Sequence, residues 1–301
     1  AGELVQALDG AVLEELVKGL DDAFLGEEDG EYVLSHQMAS WTDIGRVQPH
    51  NEDCTDFEVE DEPEGSVPRG DIYVVADGGG RQAGDVDSEQ AVEWAIDQYY
   101  ADTTQDVAAS LVRAVREANQ QVYEAAQTDP TKSGMETTLV AAVLLDSKVY
   151  LANVGNSRAY VMNPTGITQI TQDHTWVEEQ VQAGRLTPEQ TRQHPRRHQL
   201  TRSLGTGPDV QVDLFEGEIA AGDTLVLCTD GLTEHVQDSE IADIASEQEP
   251  EKAVQSLVDL ANRRGGSDNI TVLIISFYGE PPAPPEEKRR RGFLEFLRGR
   301  L

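Results

Sequence analysis

The chain has 301 residues and a formal net charge of −33, set by 56 Asp and Glu against 23 Lys and Arg, of which only five are Lys. So dense a negative field opposes binding to nucleic acid, attracts divalent cations, and suits a salt-rich cytoplasm where screening suppresses self-repulsion. The length allows one large core with appended ends, and with no apolar run near the ~20 residues that span a bilayer and no basic-then-apolar leader, a soluble cytoplasmic protein is expected.

In chain order, Leu4, Leu8, Val12, Leu16, Leu20 and Phe24 recur every fourth position, which is one stripe of an amphipathic helix. Gly26-Glu27-Glu28-Asp29-Gly30 breaks it, so residues 1–37 read as a helix and an acidic linker. Ala1 at the start suggests a processed or excised chain. From Met38 the pattern changes to strands and helices. The β-rich run 71–76 ends at Asp77, and Gly78-Gly79-Gly80 reads as the turn after it. Helices are predicted over 88–100 and 105–127, then strands over 138–145, 148–154 and 159–162. Further on, strands are predicted at 224–228 and 270–277, with helices near 176–183, 240–245 and 251–263. Short connections such as Asp146-Ser147 favour antiparallel neighbours. Strands and helices grouped without regular alternation indicate α+β layers over a large antiparallel core, spanning residues 38–278. Residues 279–301 differ: Pro281-Pro282-Ala283-Pro284-Pro285 is an extended linker. It leads to Lys288-Arg289-Arg290-Arg291 and to Phe293, Leu294, Phe296, Leu297 and Leu301. Such a basic amphipathic tail either folds back on the acidic surface or docks on an anionic membrane or a partner groove.

Cys54 and Cys228, the only cysteines, have no zinc-site or disulfide spacing and read as buried, reduced thiols. The chemistry lies elsewhere. Asp53, Asp77, Asp230 and Asp268 each sit at the edge of an apolar, strand-like run, in Asn51-Glu52-Asp53, Ala76-Asp77-Gly78, Thr229-Asp230-Gly231 and Ser267-Asp268-Asn269. One Asp-Gly at a strand end is ordinary turn chemistry. Two such turns with two further acidic strand edges point to a shared site, because clustered carboxylates repel unless a cation neutralises them. Oxygen ligands suit Mg2+ or Mn2+, and a pair of such ions activates water for in-line attack on phosphorus.

The ordered blocks resemble the metal-dependent protein serine/threonine phosphatases, the protein phosphatase 2C family in its bacterial form. They include Thr42-Asp43-Ile44-Gly45-Arg46, Gly134-Met135-Glu136-Thr137-Thr138, Asn153-Val154-Gly155-Asn156-Ser157-Arg158-Ala159-Tyr160 and Thr171-Gln172-Asp173-His174. Leu200-Thr201-Arg202-Ser203-Leu204-Gly205 and Cys228-Thr229-Asp230-Gly231-Leu232 continue the match, which runs from about Ser40 to Phe277. The resemblance implies a four-layer αββα sandwich with two central antiparallel β-sheets and metals at one edge. It implies that Asp77 bridges two ions, with the Gly78 carbonyl on one of them. Asp230 and Asp268 then hold the first ion, and Asp53, with Glu52 through water, holds the second. A water activated between the ions would hydrolyse phosphoserine or phosphothreonine in proteins, opposing serine/threonine kinases, without a covalent intermediate.

Three positions depart from that pattern. Asn156 stands where bacterial members carry an Asp that supports a third metal, so this position is degenerate. Gln48 replaces a phosphate-binding Arg and offers a hydrogen bond without charge. Gly78-Gly79-Gly80-Arg81 replaces Gly-Met-Gly-Gly, and Arg81, or a displaced Arg46, is a candidate source of the missing positive charge. These departures carry the alternative of a weak or inactive phosphatase-like module that binds phosphoproteins or regulates a signalling partner. His194-Pro195-Arg196-Arg197-His198 falls in the region resembling a substrate-contacting flap, where a solvated loop is the plain reading. His174 reads as a structural hydrogen-bonding residue, which leaves no general acid identified.

Overall fold

The computed structural model describes residues 33–60, 68–79, 84–129 and 132–280. The expected N-terminal helix, Gly80-Arg81 and the Pro-rich linker and basic tail lie outside the described residues.

The strands form two sheets. One has the order β1 (Val33–Asp43), β11 (Ile270–Glu280), β10 (Thr224–Cys228), β7 (Arg158–Asn163) and β8 (Gly166–Gln169). The other runs β2 (Asp53–Glu58), β3 (Asp71–Gly79), β5 (Leu139–Leu145), β6 (Lys148–Val154) and β9 (Asp213–Glu218), with β4 (Glu136–Thr137) on the end of β3. The pairs β2–β3, β3–β5, β5–β6, β6–β9, β10–β11, β7–β10 and β7–β8 are antiparallel.

The apolar runs are continuous because both faces of the central strands are buried. Along β3, Ile72, Val74 and Ala76 pack against helices α1 (Gly84–Ala101) and α2 (Val107–Thr128), through Ala91, Tyr99, Leu111 and Val115. The alternate residues Tyr73 and Val75 meet Leu225, Leu227, Leu273 and Ile275 of the opposite sheet. That second sheet turns Tyr160, Val226, Val272 and Ile274 outward onto Ile241, Val254, Leu257 and Val258, in the helices Asp238–Glu247 and Pro250–Arg263. Three apolar interfaces therefore separate four layers, helix, sheet, sheet and helix, as expected. Both thiols are free, Cys228 buried and Cys54 half-buried. Burial pushes the Cys54 thiol up to about 11 and that of Cys228 up to about 12, so neither is a reactive thiolate at neutral pH. Among the described residues, no helix is long and apolar enough to cross a membrane.

The strands that composition did not reveal are β1, which begins at Val33, before the change of pattern at Met38, and β2, β4, β8 and β9. Four of them, β1, β2, β8 and β9, are edge strands with a solvent-facing side and lack a diagnostic apolar run, and β4 has only two residues. A second difference bears on the site. β3 does not turn after Asp77 but continues through Gly79, because Gly78 and Gly79 pair with Thr137 and Glu136.

Leu111 is fully buried between α2 and the sheet. Leu111→Ala should lower unfolding free energy by about 2–5 kcal/mol in urea titration, through lost transfer energy and a residual cavity.

Candidate metal centre

Antiparallel register creates the first carboxylate pair. Asp53 opens β2 directly opposite Asp77 of β3, an arrangement that like charges disfavour. Asp53 is buried, and its Oδ2 accepts hydrogen bonds from the hydroxyls of Thr229 and Thr271, each at 2.8 Å. Its Oδ1 is buried without a hydrogen-bond partner. Burial raises the Asp53 carboxyl from 3.8 to about 7 despite both threonines, and the charges of Asp230 and Asp268 add to the rise. Asp77 is also pushed well above the usual carboxylate range, first by burial and then by Asp53, Asp230, Asp268 and Glu52.

Thr138 fixes the Asp77 backbone. The Asp77 N–H donates to Thr138 Oγ1 at 3.0 Å, and the Asp77 carbonyl accepts from the Thr138 N–H at 2.9 Å. Its neighbour Gly78 donates its N–H to the Glu52 carbonyl at 2.9 Å, which ties the ends of β2 and β3 together.

The other two carboxylates come from the second sheet. Asp230 begins the short helix Asp230–Thr233 just past β10, and Asp268 precedes β11. Asp230 Oδ2 accepts from Asn156 Nδ2 at 2.7 Å, and His198 Nδ1 lies 3.6 Å from the same oxygen. Asp268 Oδ1 accepts from Gln48 Nε2 at 2.8 Å and from the Asn269 N–H at 3.0 Å. Burial raises the Asp268 carboxyl, with Asp230 adding to it.

Asn269 joins the two halves. Its Oδ1 accepts from the Glu52 N–H at 2.8 Å, and its Nδ2 donates to the carbonyls of Ile44 and His50, both at 2.9 Å. Two glycines let other chain segments approach this turn. A Cβ on Gly231 would stand 1.9 Å from the Asn269 carbonyl oxygen, and one on Gly45 (φ +80°) 2.2 Å from that of Asp268.

A basin of about 450 Å³ opens over these elements, and its walls include Asp77, Gly78, Glu52, Asp230, Asp268, Gln48 and Asn156. Asp53, the register partner of Asp77, is not among its wall residues. Sequence reasoning missed Glu136, Thr137, Thr138 and Glu234, which also line the basin, and gave Asn269 no role. For Glu234 a signal existed: it lies four positions after Asp230, one helical turn on. The basic run does reach the site. Arg197 and His198 line the basin, and Glu234 Oε1 holds Arg197 Nη2 and His198 Nε2, each at 3.0 Å. His198 is raised to about 9 by its hydrogen bonds to Asp230 and Glu234.

Other candidates sit elsewhere. Arg46 is exposed, holds the Gly266 carbonyl through its N–H at 2.7 Å, and is not on the basin wall. His174 Nδ1 accepts from the Gly155 N–H at 2.9 Å, and its Nε2 lies 3.1 Å from Asp213. Burial lowers its pKa, and the ring is structural, with Nε2 set between Asp213 and Arg202 Nη1 at 2.9 Å.

The residues fit a hard divalent ion, since the donors are carboxylate and carbonyl oxygens and Asp53 keeps an orphaned buried acceptor. Among the described residues, no three His, Cys, Asp or Glu side chains already close into a metal-holding group. Asp77, Asp230 and Asp268 instead line an open basin, and Asp53 pairs with Asp77 in register.

Comparison with known proteins places these residues in context. The sequence profile of the family Protein phosphatase 2C matches residues 50–267. The serine/threonine phosphatase stp of Listeria welshimeri is 39% identical over 241 residues, covering 78% of this chain and 93% of that protein. The crystal structure of serine/threonine phosphatase Stp1 from Staphylococcus aureus aligns with a TM-score of 0.75 at 31% identity, covering 84% of this chain and 99% of that one. The catalytic domain of the serine/threonine protein phosphatase PstP, solved in complex with two manganese ions, aligns with a TM-score of 0.70 at 31% identity, covering 81% and 99%.

The raised Asp53 pKa has a definite sign. The folded chain keeps a proton that the unfolded chain has released, so this contribution is complete below 3.8 and lost as pH rises through about 7. Metal-free protein in EDTA should therefore unfold at progressively lower urea across that interval. Asp77→Asn should match or exceed the wild type in metal-free stability at neutral pH while losing calorimetric Mn2+ binding. A metal-free variant clearly weaker than wild type would show that Asp77 is not electrostatically strained.

Proposed function

Because the chain belongs to the protein phosphatase 2C family and is a metal-dependent protein serine/threonine phosphatase, we propose that Asp53, Asp77, Asp230 and Asp268 hold its two divalent ions, Mn2+ or Mg2+. The Gly78 carbonyl adds an oxygen, and Glu52 acts through water. The observation that carries this reading is the Asp53–Asp77 pair, with the unpartnered, buried Oδ1 of Asp53. When bound, two such ions lower the pKa of a water that attacks phosphorus and neutralise charge on the phosphoryl oxygens.

The chain's own residues orient and hold the reacting groups. Thr229 and Thr271 fix one oxygen of Asp53, which leaves the other for a cation. Asn156 donates its amide to Asp230, so it orients a ligand and is a poor third-metal ligand itself. Gln48 likewise holds Asp268 by a neutral hydrogen bond where a cationic side chain would have bound phosphate. Arg197 and His198, held by Glu234, are the cationic groups on the basin wall. They supply positive charge near an incoming phosphate dianion. The substrates are phosphorylated proteins; components of serine/threonine kinase pathways in the cytoplasm are the class proposed. A membrane or partner contact by the basic tail remains a proposal on the sequence of residues 279–301.

With added Mn2+, the protein should hydrolyse a phosphothreonine peptide. Asp77→Asn and Asp230→Asn should each reduce kcat/KM by more than about a hundredfold, beyond the 10–100-fold typical of groups outside the ligand set. Absence of turnover at saturating metal would sink the reading. Gln48→Arg should lower KM about tenfold or more, since a charge-assisted hydrogen bond to phosphate contributes about 1.5–3 kcal/mol. An unchanged KM would show that residue 48 does not face the phosphate.

A further inference from the structure

We propose that the segment 192–198 is a specificity element that selects phosphorylated segments with Asp or Glu beside the phosphorylated residue, and that Arg196, seated on Trp176, makes the discriminating contact. The inference rests on the phosphatase reading and names the substrate class of that same site.

The surface charge sets the problem. A chain with net charge −33 repels anionic substrates in general, and phosphorylated proteins are anionic at the reacting group. Against this background Arg192, His194, Arg196, Arg197 and His198 form a basic run within seven consecutive residues that contain no carboxylate. The run sits at the mouth of the basin, because Arg197, His198 and Leu200 belong to its wall. Screening confines its effect to roughly 8 Å at physiological salt, so it acts on the residues flanking the phosphate and not on distant approach.

The run is held in place and is not merely a solvated loop. An antiparallel bridge between Thr175 and Leu200 closes its base, and the Trp176 N–H donates to the Gln199 carbonyl at 2.8 Å. Successive turns follow, with the His194 N–H donating to Thr191 O at 3.0 Å and the Arg197 N–H to His194 O at 3.1 Å. The Trp176 ring carries the His194 ring stacked at 4.9 Å and the Arg196 guanidinium at 4.2 Å. A guanidinium on an indole face is already partly desolvated and oriented, so less entropy is lost when it binds an anion.

The two neighbouring arginines are used differently. Arg197 is engaged in an ion pair with Glu234, which it shares with His198. Arg196 donates its Nε–H to Gln199 Oε1 at 2.6 Å and, among the described residues, has no ion pair with a carboxylate. The guanidinium presents five N–H donors in a fork that matches a carboxylate, and only the Nε–H is engaged within the segment. Arg196 adjoins a wall residue, and an extended peptide advances about 3.3 Å per residue, so a side chain one or two positions from the phosphorylated residue passes within reach.

The test compares three phosphothreonine peptides of equal length, flanked by Glu, by Gln or by Lys, with Mn2+ present, alongside p-nitrophenyl phosphate as a probe with no flank. The wild type should show kcat/KM about five- to tenfold higher for the Glu peptide than for the Gln peptide, lowest for the Lys peptide, with the ratio shrinking as NaCl is raised. Arg196→Gln should bring the Glu-to-Gln ratio to about one, and Arg196→Glu should invert it. The ratio is independent of the fraction of folded enzyme, and Arg196 is exposed, so a folding defect cannot imitate the result. A wild-type ratio near one, or a ratio unchanged in Arg196→Glu, overturns the proposal while p-nitrophenyl phosphate turnover leaves the phosphatase reading standing. Failure to hydrolyse p-nitrophenyl phosphate overturns both.

Discussion

Mutual repulsion among buried carboxylates is the constraint around which this molecule is arranged. Register places Asp53 opposite Asp77, and the edge of the second sheet adds Asp230 and Asp268. At Asp53, Asp77 and Asp268, desolvation and proximity each favour protonation or an external cation over free charge. A fold that keeps such groups together must overdetermine their backbone. Here two antiparallel sheets do so, each locked to its helices and to the other by apolar interfaces. Stability generated in the layers holds the strained edge in place.

The contacts around the carboxylates are largely neutral donors. Threonine hydroxyls serve Asp53, an asparagine amide serves Asp230 and a glutamine amide serves Asp268. Neutral donors orient a carboxylate without cancelling its charge, so the negative potential remains available to a divalent ion. The glycines at 45 and 231 belong to the same design, since a side chain at either would collide with the backbone carrying Asp268 and Asn269. Arg197 and His198 meet Glu234 on the wall of the same basin, with His198 Nδ1 3.6 Å from Asp230 Oδ2. Groups that attract cations and groups that attract phosphate thus adjoin one another in one basin. Gln48 and Asn156, which on sequence grounds favoured a non-catalytic module, leave all four aspartates in place and bond to two of them.

Sequence by itself determined the layers and the metal-binding chemistry. Doubly buried strands are apolar along most of their length, so the runs at 71–76, 138–145 and 270–277 are legible in sequence. Aspartates at strand ends, together with the ordered blocks around them, carry the resemblance to the family and its hard-cation chemistry. Tertiary structure alone decided the rest: that Gly78 and Gly79 continue a strand, that Asn269 staples both halves of the centre, and that Glu234 gathers a distant arginine and histidine at its rim. Those features depend on pairing between residues far apart in the chain. Polar edge strands and bridging amides leave no periodic trace, because their partners are set by register and approach and not by neighbours in sequence.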